Sequence, residues 1–329
     1  VAQPVAVYTD AVEEHRATRR ACGLFDFSFM GQFEVAGAGA RAFLDRLQTR
    51  NLAMLGPGRV AYTLLLRPDG TVFIDATVWC LGPGRYWLFT GRRSDFAFVA
   101  EAVREREAVV RDRSGENAVL AVQGPDSARV LERHLGATPG LTYFGFRATA
   151  IGGRPVTVGR LGYSGELGYE LIVPGDAAAA VWRVLATDAR ECGFDAANTL
   201  RIESGYILFA NELAQPVNPF ELGLERLVSF DSRNFVGREA LRALRWHEPS
   251  RRLVGFDALV RRDPFSGAGL PQAVLTSRIR SPTLGGEIAL GFAPDALAGA
   301  LVSWSESGVA RTCRLPFYDP GRVLPRGVE

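Results

Sequence analysis

Two hydrophobic periods alternate along the chain. Residues 10–27, DAVEEHRATRRACGLFDF, place acids before arginines, the order a helix dipole favours, and predict a helix with Gly23 as its stop. GQFEVAG (31–37) alternates with a period of two and predicts a strand, and AGARAFLDRLQTR (38–50) predicts a short amphipathic helix. NAVLAVQGPDSARVLERHL (117–135) repeats strand, glycine turn and helix, either as a distant repeat or as recurrence of a common unit. Residues 60–91 predict three strands, joined at Pro68-Asp69-Gly70 and at GPGR, with a helix following over 94–107. Residues 148–174 read as strands and turns, 176–193 as a helix ended by Gly193, and 197–212 as a helix containing Gly205. After residue 245, short strands separated by DPFSGAG, SPTLGG and ESG predict a separate β-domain of sandwich or jelly-roll type. The whole is an α+β pattern.

Composition changes this picture in one respect. The chain of 329 residues contains no lysine, so all 38 of its basic residues are arginine. A Schiff-base lysine is excluded, and with it the usual pyridoxal enzymes and lysine aldolases; a P-loop is excluded as well. Acids and arginines are interspersed at a net charge of +2, without a nucleic-acid footprint. Four scattered cysteines without a C-x-x-C read as free thiols in a reducing compartment, and His15, His134 and His247 form no metal-ligand spacing. The first residues do not resemble a signal peptide, and no apolar run reaches the ~20 residues of a membrane span. A cytoplasmic protein without nucleic-acid or membrane partners is expected.

Several motifs carry candidate chemistry. Gly37, Gly39 and Ala42 form a G-x-G-x-x-A, but no acid closes a following strand at the dinucleotide offset, so an ordinary turn leading into a helix is expected. GYSG around Ser164 misses the nucleophile-elbow spacing by one position. Asp75 interrupts an apolar strand and is either solvent-facing or a positioned acid in a cleft. RLGYSGELGYE (160–170) holds two tyrosines and two glutamates among three glycines, which marks a recognition turn, with Glu170 at the start of a strand. Arg201 and Glu203, in an apolar helical stretch, read as internal ion-pair members or as site residues.

Six segments in order, HRATRRACGLFDFSFMG, RLGYSGELGYEL, LRIESGYILFANE, NPFELGLERLVSFD, NFVGREAL and TSRIRSPTLGGEIALGF, resemble the glycine-cleavage T-protein (aminomethyltransferase) family over nearly the whole chain. The resemblance implies a three-domain arrangement of antiparallel sheets: a discontinuous folate-binding α+β domain (1–50 with 114–245), an inserted ferredoxin-like unit (51–113) and a C-terminal β-barrel or jelly-roll domain (246–329). It implies one-carbon transfer to N5 of tetrahydrofolate. Tyr163 and Glu170 match the pterin-binding positions, Arg201 the folate-site arginine, and Asp75 the second acid of an Asp-Asp pair whose first acid is Ile74 here. Tyr62 and Tyr169 complete the implied folate-contact set. A carboxylate suits the pterin because N3–H and the 2-amino group are adjacent donors.

The family's SHMG reads SFMG, with Phe29 in place of His. Ser232 stands for a lysine, and Trp304 for an arginine, which leaves Arg311 or Arg314 for the folate's glutamate tail. Phe25, Phe27 and Phe29 are candidates to line a donor pocket. The implied partners are folate, a small one-carbon donor, and a lipoyl carrier protein or a flavin subunit. Related demethylases, acting on a sulfonium or aryl methyl ether, and sarcosine or dimethylglycine dehydrogenase folate domains are the enzymatic alternatives. A folate-binding iron–sulfur assembly protein is the non-enzymatic one, and its K-G-C-Y-x-G-Q-E signature is absent near Arg201.

Overall fold

A computed structural model describes residues 3–103, 108–137, 140–231, 233–261, 269–294, 298–305 and 308–326. The first part of the chain runs α1 (Ala11–Arg20), β1 (Gly23–Asp26), β2 (Gly31–Ala36), α2 (Ala40–Leu47), β3 (Arg59–Leu66), β4 (Val72–Gly82), β5 (Arg85–Thr90), α3 (Phe96–Ala102) and β6 (Val109–Asp112). The middle runs β7 (Asn117–Gln123), α4 (Ser127–Leu135), β8 (Phe146–Ile151), β9 (Arg154–Gly159), β10 (Gly168–Pro174), α5 (Gly175–Leu185), β11 (Arg190–Glu191), α6 (Phe194–Glu203) and α7 (Arg238–Leu244). The last part is β12 (Arg252–Arg261), β13 (Val274–Arg280), β14 (Glu287–Ala293), β15 (Leu301–Ser305) and β16 (Gly308–Cys313).

The strand–turn–helix repeat extends well beyond its two turns. β2-α2-β3-β4-β5-α3-β6 forms a sheet in the order β3-β4-β5-β2-β6. β7-α4-β8-β9-β10-α5-β11 forms one in the order β8-β9-β10-β7-β1-β11, the same path with β1 wedged in. Gly37 and Gly124 open the two helix-leading turns with φ of 122° and 128°, a region that favours glycine. The G-x-G-x-x-A stretch is thus a turn into α2.

Each sheet covers one face with its own helices. α2 and α3 pack on the β2–β6 sheet through Phe43, Leu44 and Val99. α4 and α5 pack on the β7–β11 sheet through Leu131, Val181 and Leu185. The other faces meet each other and α6 in a layer built on Phe25, Trp79, Phe89, Ile172 and Leu200. The third sheet is antiparallel and curled, in the order β13-β14-β12-β16-β15, and docks on α6 through Ile202 against Ile288 and Leu290. This is the α+β arrangement with a C-terminal half-barrel.

Some expected boundaries move. β2 pairs with both β5 and β6, so the division placed at residue 50 separates strands of one sheet. Gly23 begins β1 instead of ending α1, whose last residue is Arg20. The helix expected to reach Gly193 stops at Leu185, and Gly193 instead precedes α6. α6 stops at Glu203 because Gly205 adopts φ 66°, and the chain continues irregularly to a 3-10 turn at Glu212–Ala214. The expected helix over 94–107 is observed as a 3-10 turn at Arg93–Asp95 and as α3; residues 104–107 lie outside the described residues. The loop DPFSGAG lies largely outside them too.

Candidate functional site

Strand alternation decides which side chains enter the layer between the first two sheets. On β4, Ile74, Ala76 and Val78 join the helix-covered core, so Asp75 and Trp79 face inward. On β10, Tyr169, Leu171 and Val173 join the core under α4 and α5, so Glu170 and Ile172 face inward. One carboxylate from each sheet therefore enters the same layer.

Tyr62 on β3 donates its hydroxyl to Asp75 Oδ2 at 3.0 Å. Burial pushes the Asp75 carboxyl up to about 6; the Tyr62 bond opposes this and the charges of Asp95 and Glu212 add to it. Burial, with the negative Asp75 beside it, holds the Tyr62 phenol well above its usual range. Tyr163 donates to the Ile207 carbonyl at 2.6 Å and stacks on Tyr206, ring centroids 5.9 Å apart. Burial raises the Tyr163 phenol, with Arg201, Asp75 and Glu212 within electrostatic reach. Tyr62, Asp75 and Tyr163 are half-buried, each keeping partial solvent access.

Glu170 is 9 % exposed and accepts no hydrogen bond from any described residue. Its neighbours across the sheet are Ala121 and Gly159, neither with a side-chain donor. Burial alone lifts its carboxyl to about 7. A buried carboxylate without protein donors is costly, and Glu170 keeps only slight access to water.

The glycines of RLGYSGELGYE serve a pin. Gln123, at the end of β7, inserts its carboxamide into the loop, accepting from Ser164 Oγ at 2.8 Å and donating toward the Leu161 and Tyr169 carbonyls at 3.4 and 3.3 Å. A Cβ at Gly162 would lie 1.9 Å from Gln123 Oε1, and one at Gly168 2.4 Å from it. Gly165 combines φ 82° with close contact to Ser204. The loop thus fixes Tyr163 before β10 and Glu170 within it. Ser164 is engaged by Gln123, and Glu166 forms a buried pair with Arg19 at 2.9 Å, so neither is free for a ligand.

The family profile described as the GCVT N-terminal domain matches residues 5–232. The chain belongs to the glycine-cleavage T-protein (aminomethyltransferase) family. It is 37% identical over 299 residues to an aminomethyltransferase of Halothermothrix orenii, covering 87% of this chain and 84% of that protein. To an aminomethyltransferase of Streptomyces avermitilis it is 38% identical over 312 residues, 88% and 83% of the two chains. The crystal structure of glycine cleavage system aminomethyltransferase T from Bartonella henselae superposes with a TM-score of 0.84 at 24% identity, over 99% of this chain and 96% of that one, which shows the fold. Membership makes the chain an enzyme, a transferase of one-carbon groups, as the sequence reading has it.

Set against that family pattern, the six site candidates divide. Tyr62, Asp75 and Tyr163 lie within electrostatic reach of one another, and Glu170 faces the same layer between the two sheets. Tyr169 does not: it is 4 % exposed in the core under α4 and α5, because consecutive strand residues point to opposite faces. Arg201 is fully buried. It donates to Asn198 Oδ1, the Tyr206 carbonyl, Glu212 Oε2 and Ser277 Oγ at 2.8–3.1 Å, tying α6 to the C-terminal sheet. Arg201 and Glu203 do belong to internal ion pairs, but with Glu212 and Arg19 and not with each other. Ile74, in the first position of the Asp-Asp pair, is core. Phe25 and Phe27 are core as well, while Phe29 keeps partial exposure, edge-on to Phe194. Arg311 is engaged by Asp257 at 2.8 Å.

Sequence reading missed Gln123, Glu212 and Tyr206. Gln123 left a signal, an amide closing the apolar run AVLAV immediately before a glycine. Among the described residues, no group of His, Cys, Asp and Glu could hold a metal, and no helix is long and apolar enough to cross a membrane.

Proposed function

We propose that Glu170, Tyr163, Tyr62 and Asp75 bind tetrahydrofolate, the one-carbon acceptor used by this family, with the pterin on Glu170. The observation that carries this reading is the Glu170 carboxylate, buried and without a protein donor. Ionised, it accepts from N3–H and the 2-amino group together, a charge-assisted bidentate contact that replaces the missing donors. Tyr163, fixed by Ile207, walls one side. When bound, tetrahydrofolate supplies N5, the nucleophile that takes up the one-carbon unit.

Asp75 supplies the charge opposite that centre. Its Oδ2 is held by Tyr62, which leaves Oδ1 to stabilise positive charge and to hold or release a proton. A pKa of about 6 keeps both protonation states within reach near neutrality. Arg201 is a positioning residue, holding Glu212 and the turn after α6 in place. The favoured reaction is aminomethyl transfer from a lipoyl carrier protein, with ammonia released. Phe29 presents an apolar edge to the donor.

Calorimetric titration with tetrahydrofolate tests the reading, beside Glu170→Ala. Micromolar binding that collapses in the variant supports it. Absence of binding by the unmutated protein overturns it, and binding that survives the substitution moves the pterin elsewhere.

A further inference from the structure

Glu203, the last residue of α6, is fully buried and gathers donors from distant parts of the chain. Arg19, in the last turn of α1, reaches its Oε2 through Nη2 at 2.9 Å, and His15 Nε2 lies 3.3 Å from the same oxygen. The C-terminal sheet contributes the turn between β13 and β14. There Ser281 Oγ donates to Oε1, Thr283 N–H donates to Oε1 at 3.1 Å, and Thr283 Oγ1 donates to Oε2 at 2.8 Å. The Thr283 hydroxyl proton is thereby committed, so His15 Nε2, 2.8 Å from Thr283 Oγ1, is the donor in that contact. Burial works against the Glu203 charge, but His15, Arg19 and Ser281 overcome it and hold the carboxyl down to about 2.

Arg19 extends this arrangement to the turn that precedes β10. Its Nη1 donates to the Ser164 carbonyl at 2.8 Å and to Glu166 Oε1 at 2.9 Å, and its guanidinium lies 3.9 Å from the centre of the Tyr318 ring. Ser204, beside Glu203, donates to the same Ser164 carbonyl at 2.8 Å. The backbone immediately after Tyr163 is therefore clamped from α1 and from the end of α6. The Tyr163 hydroxyl is held by the Ile207 carbonyl, just past α6. Charges alternate along the path from Glu203 through Arg19 to Glu166, and all three side chains are nearly inaccessible to water. A buried ion pair with one partner displaced is strongly unfavourable, so a shift of the Ser281–Thr283 turn is felt at Arg19 and, through it, at Ser164.

We infer that Glu203 and Arg19 are positioning residues for the ligand, and that through them the Ser281–Thr283 turn of the C-terminal sheet sets the loop that presents Tyr163. The inference rests on the folate reading above. It makes docking of the C-terminal sheet on α6 a condition for tight folate binding, carried by side chains that do not belong to the folate-contact set. Asp75 lies off this path: its hydrogen bond comes from Tyr62, on the neighbouring strand of another sheet.

The test titrates tetrahydrofolate calorimetrically into the unmutated protein and into Ser281→Ala, Thr283→Val and Thr283→Ser, each alone and with Tyr163→Phe. Ser281→Ala and Thr283→Val each remove one hydroxyl donor from Glu203 and are expected to weaken binding about fivefold. Thr283→Ser keeps the hydroxyl and should bind within about twofold of the unmutated protein. In the Tyr163→Phe background the two damaging substitutions should cost less than about twofold, because the side chain they misplace has already lost its anchor. In turnover, the KM for tetrahydrofolate should rise while kcat at saturation changes by less than about twofold, the mark of lost binding without lost chemistry. Should Thr283→Val fail to fold, Ser281→Ala decides. A role confined to bracing the fold gives a different pattern: lower melting temperatures with unchanged folate affinity, or losses that multiply with that of Tyr163→Phe. Either result overturns the inference and leaves the folate reading intact. Absence of binding by the unmutated protein overturns the folate reading, and this inference with it.

Discussion

Tyr62 and Asp75 sit diagonally across β3 and β4, and the phenol donates to the carboxylate at 3.0 Å. The bond holds one oxygen of Asp75 and stabilises its charged form against burial. Tyr62→Phe removes that support, so the Asp75 carboxyl rises above its present value of about 6. A hydrogen bond to a charged group of ~1.5–3 kcal/mol corresponds to roughly one to two pH units. The acid limb of the kcat–pH profile is expected to move up by that amount, with kcat near neutrality falling about two- to tenfold. An unmoved acid limb would show that Asp75 does not act in its charged form.

Glu170 sets stability against binding. Its folded pKa, about 7, is above the ordinary carboxylate value, so the folded state holds this proton more tightly than the unfolded chain. The contribution is fully present below the unfolded pKa and is lost as pH rises through 7. The loss is on the order of 3 kcal/mol. Glu170→Gln removes the titration, so the ligand-free variant should gain thermal stability over the parent at pH 8 and lose that advantage at pH 5. Folate binding should move the other way. The amide offers one acceptor and one donor where two acceptors are needed, and affinity should fall about 100-fold. In the unmutated protein folate affinity should also weaken as pH drops below 7. Thermal melts and calorimetry at the two pH values check both halves.

What the sequence made legible follows the physics of each element. The strands of residues 60–91 could be read because their apolar runs are bounded by tight turns, and Asp75 because a carboxylate inside such a run needs a reason. The cut at residue 50 divides one sheet because β2 reaches β5 across β3 and β4, and β6 across β3, β4 and β5, which local pattern does not encode. α6 read too long because ILF after Gly205 remains apolar; that segment packs as irregular chain against Leu64 and Leu213. Arg201 was recognised as important, yet its partners Glu212 and Ser277 come from other segments, and Ser277 from another sheet.

Tyr169 tests the alternation argument directly. It precedes Glu170 in sequence but faces the core under α4 and α5. No described residue takes a hydrogen bond from its hydroxyl. Tyr169→Phe should leave folate affinity within about twofold and stability within ~1 kcal/mol. Tyr163→Phe, by contrast, removes the bond to Ile207 and should weaken folate binding about tenfold. Equal losses in the two variants would mean that β10 presents the other face to the ligand.

Gln123 should control a ligand that it never touches. Its carboxamide occupies the space that a Cβ at Gly162 or Gly168 would need. Gly168→Ala therefore forces the buried amide out of the loop and breaks its bonds to Ser164 and to the Tyr169 carbonyl. Unpairing these groups while overpacking the site should cost about 2–4 kcal/mol in urea unfolding. If the clash with Gln123 is the cause, Gln123→Ala in the same chain recovers part of that loss, a non-additivity that a double-mutant cycle measures. Folate affinity should not recover with it, because the loop that fixes Tyr163 has lost its pin. Full recovery of both would reduce Gln123 to a space-filling residue, and additive losses would place the glycine requirement in the backbone alone.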